Sequence, residues 1–449
     1  YLANFGKEHG FETLVDEVGN VLIRKPAFKG YENAPGVCLQ AHMDMVCEKN
    51  GDKNFDFLTQ PIEAFVEDGW LIGDGTTLGA DDGLGIAMAL AFITDPDVLH
   101  GPLQCLFTVD EETGLTGAFS LDHNMLNGRT LINLDSEDEG QIFIGCAGGI
   151  NTVARFEYST QPVAKGSLAY SIEITGLRGG HSGDDIHKGF GNANKILNRF
   201  LWNATRLCNL QLCNIHGGNL HNAIPRDAYA SFIIGKEQDM VLQEYFNTFR
   251  NDILQELKYT EPQLIINLSK IDLPVCTMSA NDQTRLLNAI YGCPNGPMAM
   301  SHALPGLVET STNLASIKMT TDNTIEIVTS QRSSVESAKY DIANMVESVF
   351  AQAGAKVEHS EGYPGWEPNI DSKILNTATN SYKRLFGKEP EVKAIHAGLE
   401  CGLFLKKLPD MDMISIGPTL RGVHSPTEQI EIKTVKMFYD FLIDILREN

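Results

Sequence analysis

Residues 36–44, GVCLQAHMD, decide the fold. An apolar run ends in His42-Met43-Asp44, the pattern of a strand buried on both faces that opens into a polar loop. A glycine-rich turn, GDGTTLGADDG at 73–83, then leads into LGIAMALAFIT at 84–94, whose Ala, Leu and Met content suits a helix. PLQCLFTVDEE at 102–112 and TLINLDSEDEG at 130–140 repeat the strand that ends in acids. This alternation predicts an α/β fold with a largely parallel central sheet and helices on both faces.

Further along, the pattern changes. SLAYSIEIT (167–175), DAYASFIIG (227–235), PQLIINLSKI (262–271) and NTIEIVTSQRSS (323–334) read as strands. GFGNANKILNRFLWNATR (189–206), DMVLQEYFNTFRNDILQEL (239–257) and VESAKYDIANMVESVFAQAG (335–354) read as helices. They do not form clear βαβ units, which predicts a separate α+β domain over roughly 151–360. HSEGYPGWEPNID (359–371) is a suitable linker back. Residues 361–449 then resume α/β character, with Gly387 placed to end a helix and an amphipathic helix at the end of the sequence. The expected architecture is one domain built from 1–150 and 361–449, with 151–360 inserted. A length of 449 residues suits about two to three domains.

Acidic residues outnumber basic ones by 58 to 35, and the net charge of −23 opposes binding to nucleic acid or anionic lipid. No stretch approaches the ~20 apolar residues of a membrane span, and the first residues, YLANFGKEHGFE, do not read as a secretory signal. Nine cysteines, an odd number without a CxxC pair, suit reduced thiols in the cytoplasm.

The chemistry sits at strand ends. On extended backbone His42 and Asp44 share a side, so Asp44 is placed to orient the imidazole. Asp81-Asp82 open a helix; they suit either a cation or the helix dipole. Asp110-Glu111-Glu112 follow a buried strand, where three acids in a row are costly without compensation. Asp135 closes another strand, and His424 lies in the loop GPTLRGVHSPTEQ (417–429). Taken singly, each of these suits a solvated loop. Taken together, they line the carboxyl ends of the strands of one sheet, where open α/β folds place ligands. Two imidazoles and several carboxylates can make two N/O sites suited to zinc, cobalt or manganese, and such an ion pair is a hydrolytic device.

The ordered set HMD, GADDG, DEE, LINLD, GGHSG, HNAIPR, HAGLECG and VHSP resembles the dizinc aminoacylase/carboxypeptidase clan of metallopeptidases, in its bacterial aminoacyl-histidine (Xaa-His) dipeptidase branch. The resemblance runs over essentially the whole sequence. It implies a zinc-exopeptidase-like catalytic domain and an inserted lid or dimerisation domain. It also implies His42, Asp81 and Asp135 as ligands of one metal, Asp81, Glu112 and His424 as ligands of the other, and a cis peptide at Asp81–Asp82. Glu111 would be the general base acting on the water shared by the metals, Asp44 would orient His42, and His181 would stabilise the oxyanion. Asn222, Arg332 and the backbone at Gly398 would bind substrate. The implied activity is hydrolysis of unblocked dipeptides such as β-alanyl-histidine by a cytoplasmic homodimer that pairs through the inserted domain. A tripeptide peptidase, an N-acyl amino acid deacylase and a metal-binding scaffold without activity are the alternatives.

Overall fold

The computed structural model describes residues 1–449, the side chain of His123 excepted. The chain divides into two compact units, Tyr1–Cys146 with Trp366–Ala394 and Leu399–Asn449, and Ala147–Gly365 with Ile395–Gly398.

The first unit is built on an eight-stranded sheet. Its order is Glu12–Val15, Val21–Lys25, Leu103–Thr108, Val37–His42, Thr130–Asn133, Asp412–Ser415, Gln141–Cys146 and Glu391–Ile395. The four central strands, Leu103–Thr108 to Asp412–Ser415, run parallel. The strands toward the edges add antiparallel pairs. The parallel arrangement expected from the sequence therefore holds at the centre, where the strands are sealed on both faces; all six residues of Val37–His42 are buried. The helix Ala80–Thr94 packs on this strand. The last helix, Ile432–Glu448, buries Phe438, Phe441, Leu442 and Ile445, the i, i+3, i+4, i+7 stripe of a helix with one inward face. Ser372 caps Lys373–Phe386 by accepting from the Leu375 N–H, and Gly387 ends that helix in the left-handed conformation.

A second, four-stranded antiparallel sheet was not anticipated. It joins Leu420–Arg421, Gln429–Glu431, Trp70–Gly73 and Ala64–Glu67. It positions the site, because it fastens the loop that carries His424 to the segment that leads into Asp81.

The second unit is an antiparallel nine-stranded sheet with the helices Ala193–Cys208, Asp239–Glu256, Ala280–Gly292 and Glu336–Gln352. Phe200, Phe232, Leu287 and Phe350 are among the residues that fill its core. Its longest strand, Val308–Met319, escapes a hydrophobic-pattern reading because Thr310, Ser311, Thr312 and Asn313 are polar yet buried. Each has a hydrogen-bond partner in this unit, Ser311 Oγ lying 2.7 Å from His396 Nε2. Thr310 Oγ1 lies 2.9 Å from Ser333 Oγ, Gln331 donates to Thr312 and Asn313 donates to the Ala223 carbonyl.

Candidate metal centre

His42 ends its strand with only 1% of its surface exposed. Its Nδ1 lies 3.0 Å from the backbone carbonyl oxygen of Asp44 and 3.6 Å from the Asp44 carboxylate. A proton on Nδ1 therefore leaves the Nε2 lone pair free. Nε2 lies 3.0 Å from Asp81 Oδ1 and 3.4 Å from Asp135 Oδ1. The other oxygen of Asp81 faces a second imidazole, with Oδ2 3.1 Å from His424 Nε2, and Glu112 Oε1 is 2.9 Å from the same nitrogen. Asp81 thus stands between two clusters, His42–Asp81–Asp135 and Asp81–Glu112–His424; within each, the potential ligand atoms lie within 4.8 Å of one another.

The backbone explains how these groups converge. The peptide between Asp81 and Asp82 is cis. Gly79 has φ +70°, and a Cβ there would come within 2.9 Å of Met45 Sδ. Asp82 turns inward and accepts from the backbone N–H groups of His42 (3.3 Å) and Gly85 (3.1 Å). Asp44 sits mainly under the acid pair, its carboxylate accepting from the N–H groups of Glu111 and Glu112 at 3.0 Å each. His424 takes φ +61°, a conformation uncommon for a side-chain-bearing residue.

The cluster carries more negative than positive charge. Burial alone pulls His42 down, but Asp135, Asp44 and Asp81 outweigh it and raise its proton affinity. Hydrogen bonds to Asp81 and Glu112 raise His424 to about 10. Burial pushes Asp135 well above the usual carboxylate range, with Asp81 adding to the rise and His42 opposing it. Burial, helped by Glu400, Glu112 and Asp81, lifts Glu111 to about 8. Burial also raises Asp44, but the nearby His42 imidazole and hydrogen bonds from the two backbone N–H groups bring it to about 2. A mixed imidazole and carboxylate donor set with surplus acid fits divalent cations.

In the second unit, Arg332 is 6% exposed. Its Nη1 donates to Tyr363 Oη at 2.9 Å, its Nη2 lies 3.4 Å from His181 Nε2, and its Nε is buried without a partner among the described residues. Gly398 borders the same tyrosine, since a Cβ there would come within 2.8 Å of the Tyr363 ring. Asn222 lies beside the His181 loop through its carbonyl, which accepts the Ser182 N–H at 2.8 Å. Its side chain is exposed. His181, Asn222, Arg332 and Gly398 therefore share one neighbourhood of this unit.

The sequence profile of peptidase family M20/M25/M40 matches residues 38–448. The chain belongs to this family. It is 43% identical over 448 residues to the cytosol non-specific dipeptidase of Escherichia coli (strain K12), covering 100% of this chain and 92% of that protein. The crystal structure of aminoacylhistidine dipeptidase from Vibrio alginolyticus is similar, with TM-score 0.92 and 41% identity over 99% of this chain and 91% of the other. Aminopeptidase PepT from Bacillus cereus ATCC 10987 shares the fold at 15% identity and TM-score 0.56, covering 100% of this chain and 91% of that one.

Three acids of this M20/M25/M40 peptidase have buried positions that the sequence does not reveal. Asp82 reads in the sequence only as one half of an acid pair. Glu400, 1% exposed, accepts from Gln40 (2.6 Å) and Thr108 (2.9 Å), and burial raises it to about 7. Glu428 accepts from a row of backbone N–H groups at the start of the Asp81 helix. Nothing in GLEC or PTEQ separates these acids from solvated loop residues. Only the fold shows that they are buried.

Proposed function

We propose that this chain is a two-metal dipeptidase, in which His42, Asp81 and Asp135 hold one cation and Asp81, Glu112 and His424 hold the other. The observation that carries the proposal is the placement of the two Asp81 oxygens, one toward His42 and the other toward His424. Zinc is the first choice for this donor set, with cobalt or manganese also suited. When bound, such a cation pair acidifies a water toward neutral pH and polarises the scissile carbonyl.

The chain's own residues supply the rest. Glu111 adjoins Glu112 and shares the His42 neighbourhood, where its carboxylate, held ionised by bound cations, would accept a proton from water and return it to the leaving amine. Asp44 holds Glu111 and Glu112 through their backbone N–H groups. His181 supplies a donor for the oxyanion. Arg332, Asn222 and the backbone at Gly398 bind the substrate's terminal carboxylate. For Arg332 the support is a buried guanidinium that lacks a carboxylate partner among the described residues, which favours an anionic ligand. The two named relatives support free dipeptides, including Xaa-His, as substrates. A homodimer formed through Ala147–Gly365 and a cytoplasmic location complete the proposal.

The test is Glu111→Gln with a substrate panel of dipeptides, tripeptides and N-acyl amino acids. The variant is expected to keep its metal and to lose about 10²–10⁴-fold in kcat, with dipeptides preferred by the wild type. Wild-type rates in the variant would remove Glu111 from the chemistry. Turnover of N-acyl amino acids alone would make the chain a deacylase.

A further inference from the structure

Four successive backbone N–H groups converge on one distant carboxylate. Glu428 Oε2 accepts from Leu78 (2.7 Å) and Gly79 (3.1 Å), and Oε1 accepts from Ala80 (2.8 Å) and Asp81 (3.3 Å). Glu428 is 2% exposed. It lies in the same short loop as His424, closed by bonds from the Ser425 N–H to the Gly422 carbonyl and from the Glu428 N–H to the Ser425 carbonyl. One turn thus presents His424 to the cluster and the Glu428 carboxylate to the loop that carries Asp81.

We propose that Glu428 is a positioning residue that holds Asp81 and His424 in register, so that the metal site is built before any cation arrives. The proposal rests on the two-metal function above. Gly79 has no side chain to accept from the N–H groups around it, and Asp81 and Asp82 depart from helical backbone, so Asp82 serves the regular helix at the Gly85 N–H while the N–H groups of 78–81 need another acceptor. Glu428 is that acceptor, from the far end of the sequence. The choice of residue matters. A carboxylate presents two acceptor oxygens, enough for four donors, whereas glutamine presents one oxygen and an NH2 that opposes two of them. The backbone reinforces the link, because the Glu428 carbonyl accepts the Gly73 N–H at 3.0 Å and Gln429–Glu431 pairs with Trp70–Gly73.

The test is a zinc titration of the metal-free chain against a chromophoric chelator, for wild type, Glu428→Gln and Glu428→Asp. Two zinc ions per wild-type chain are expected, with affinity about 10–100-fold weaker in Glu428→Gln and partly recovered in Glu428→Asp, which keeps both oxygens. Excess zinc should restore most of the Glu428→Gln kcat with KM unchanged, a rescue that a misfolded chain would not show. Binding of both ions by Glu428→Gln with wild-type affinity overturns the proposal. Fewer than two ions on the wild type would instead overturn the two-metal function. Hydrogen exchange of the metal-free wild type supplies a check that needs no variant. Amides 78–81 should exchange as slowly as those inside the helix, and exchange at free-loop rates overturns the proposal.

Discussion

The two units hold clusters that are incomplete in opposite senses. In the first, two imidazoles face Asp81, Glu112 and Asp135, and the surplus of acid raises the proton affinity of both histidines. In the second, the Arg332 guanidinium is buried beside His181 and Tyr363 with no carboxylate partner among the described residues. Buried charge without a counter-charge is costly, so each arrangement favours a ligand of opposite sign. In the proposed function the first cluster takes cations and the second takes an anion. A dipeptidase needs both, metal ions for the bond and a cationic group for the free carboxylate.

The most damaging change to the first cluster is Asp81→Asn. It preserves shape but removes the one carboxylate that both clusters share. Both ions should be lost together, with activity falling by on the order of 10³-fold or more, because metal assistance is worth several kcal/mol. Metal content by elemental analysis checks this. Retention of one tightly held ion would mean that the clusters are independent.

Arg332→Lys probes the second cluster. It keeps the charge and loses the planar fork. A drop of about 10–100-fold in kcat/KM is expected, from the 1.5–3 kcal/mol of a charge-assisted hydrogen bond, with metal content unchanged. Equal losses on dipeptides and on dipeptide amides, which lack the terminal carboxylate, would remove the anion from the account.

Acidity distinguishes the clusters next. His424 has its proton affinity raised to about 10 by Asp81 and Glu112. In the metal-free chain this contact stabilises the fold fully below the ordinary histidine value of about 6.5 and is lost as pH rises through the folded value. The Tm of the metal-free chain should therefore fall between about pH 6.5 and pH 10, and zinc should flatten that fall by replacing the protons. Calorimetry in buffers of different ionisation enthalpy should show protons released when zinc binds at pH 7. Zinc binding without proton release would contradict the ion pairs at His424.

The proposed ligands are more legible in the sequence than their supports, and the reason is physical. His42 ends a buried strand and Glu112 and Asp135 follow others, and apolar runs of that kind are visible without a structure. Glu428, Asp82 and Glu400 act through burial and backbone hydrogen bonds, which one-dimensional pattern does not encode. The small sheet that delivers His424 is made of strands of two to four residues, too short for an alternation signal. Tyr363 lay in a stretch that reads as a linker, yet its hydroxyl supports Arg332.

That hydroxyl gives the smallest and most selective test of the contrast. Tyr363→Phe removes one acceptor from the guanidinium while leaving the ring that borders Gly398. A lost hydrogen bond to a buried charged group costs about 1.5–3 kcal/mol at most, and less where water takes its place. If Arg332 holds the substrate's carboxylate, Tyr363→Phe should raise KM about 2–10-fold for dipeptides, with kcat, zinc affinity and the pH dependence of Tm left as in the wild type. A change in zinc affinity would show that the anion-seeking and cation-seeking clusters are coupled. A kcat loss at constant KM would place Arg332 in the chemical step instead of in carboxylate binding.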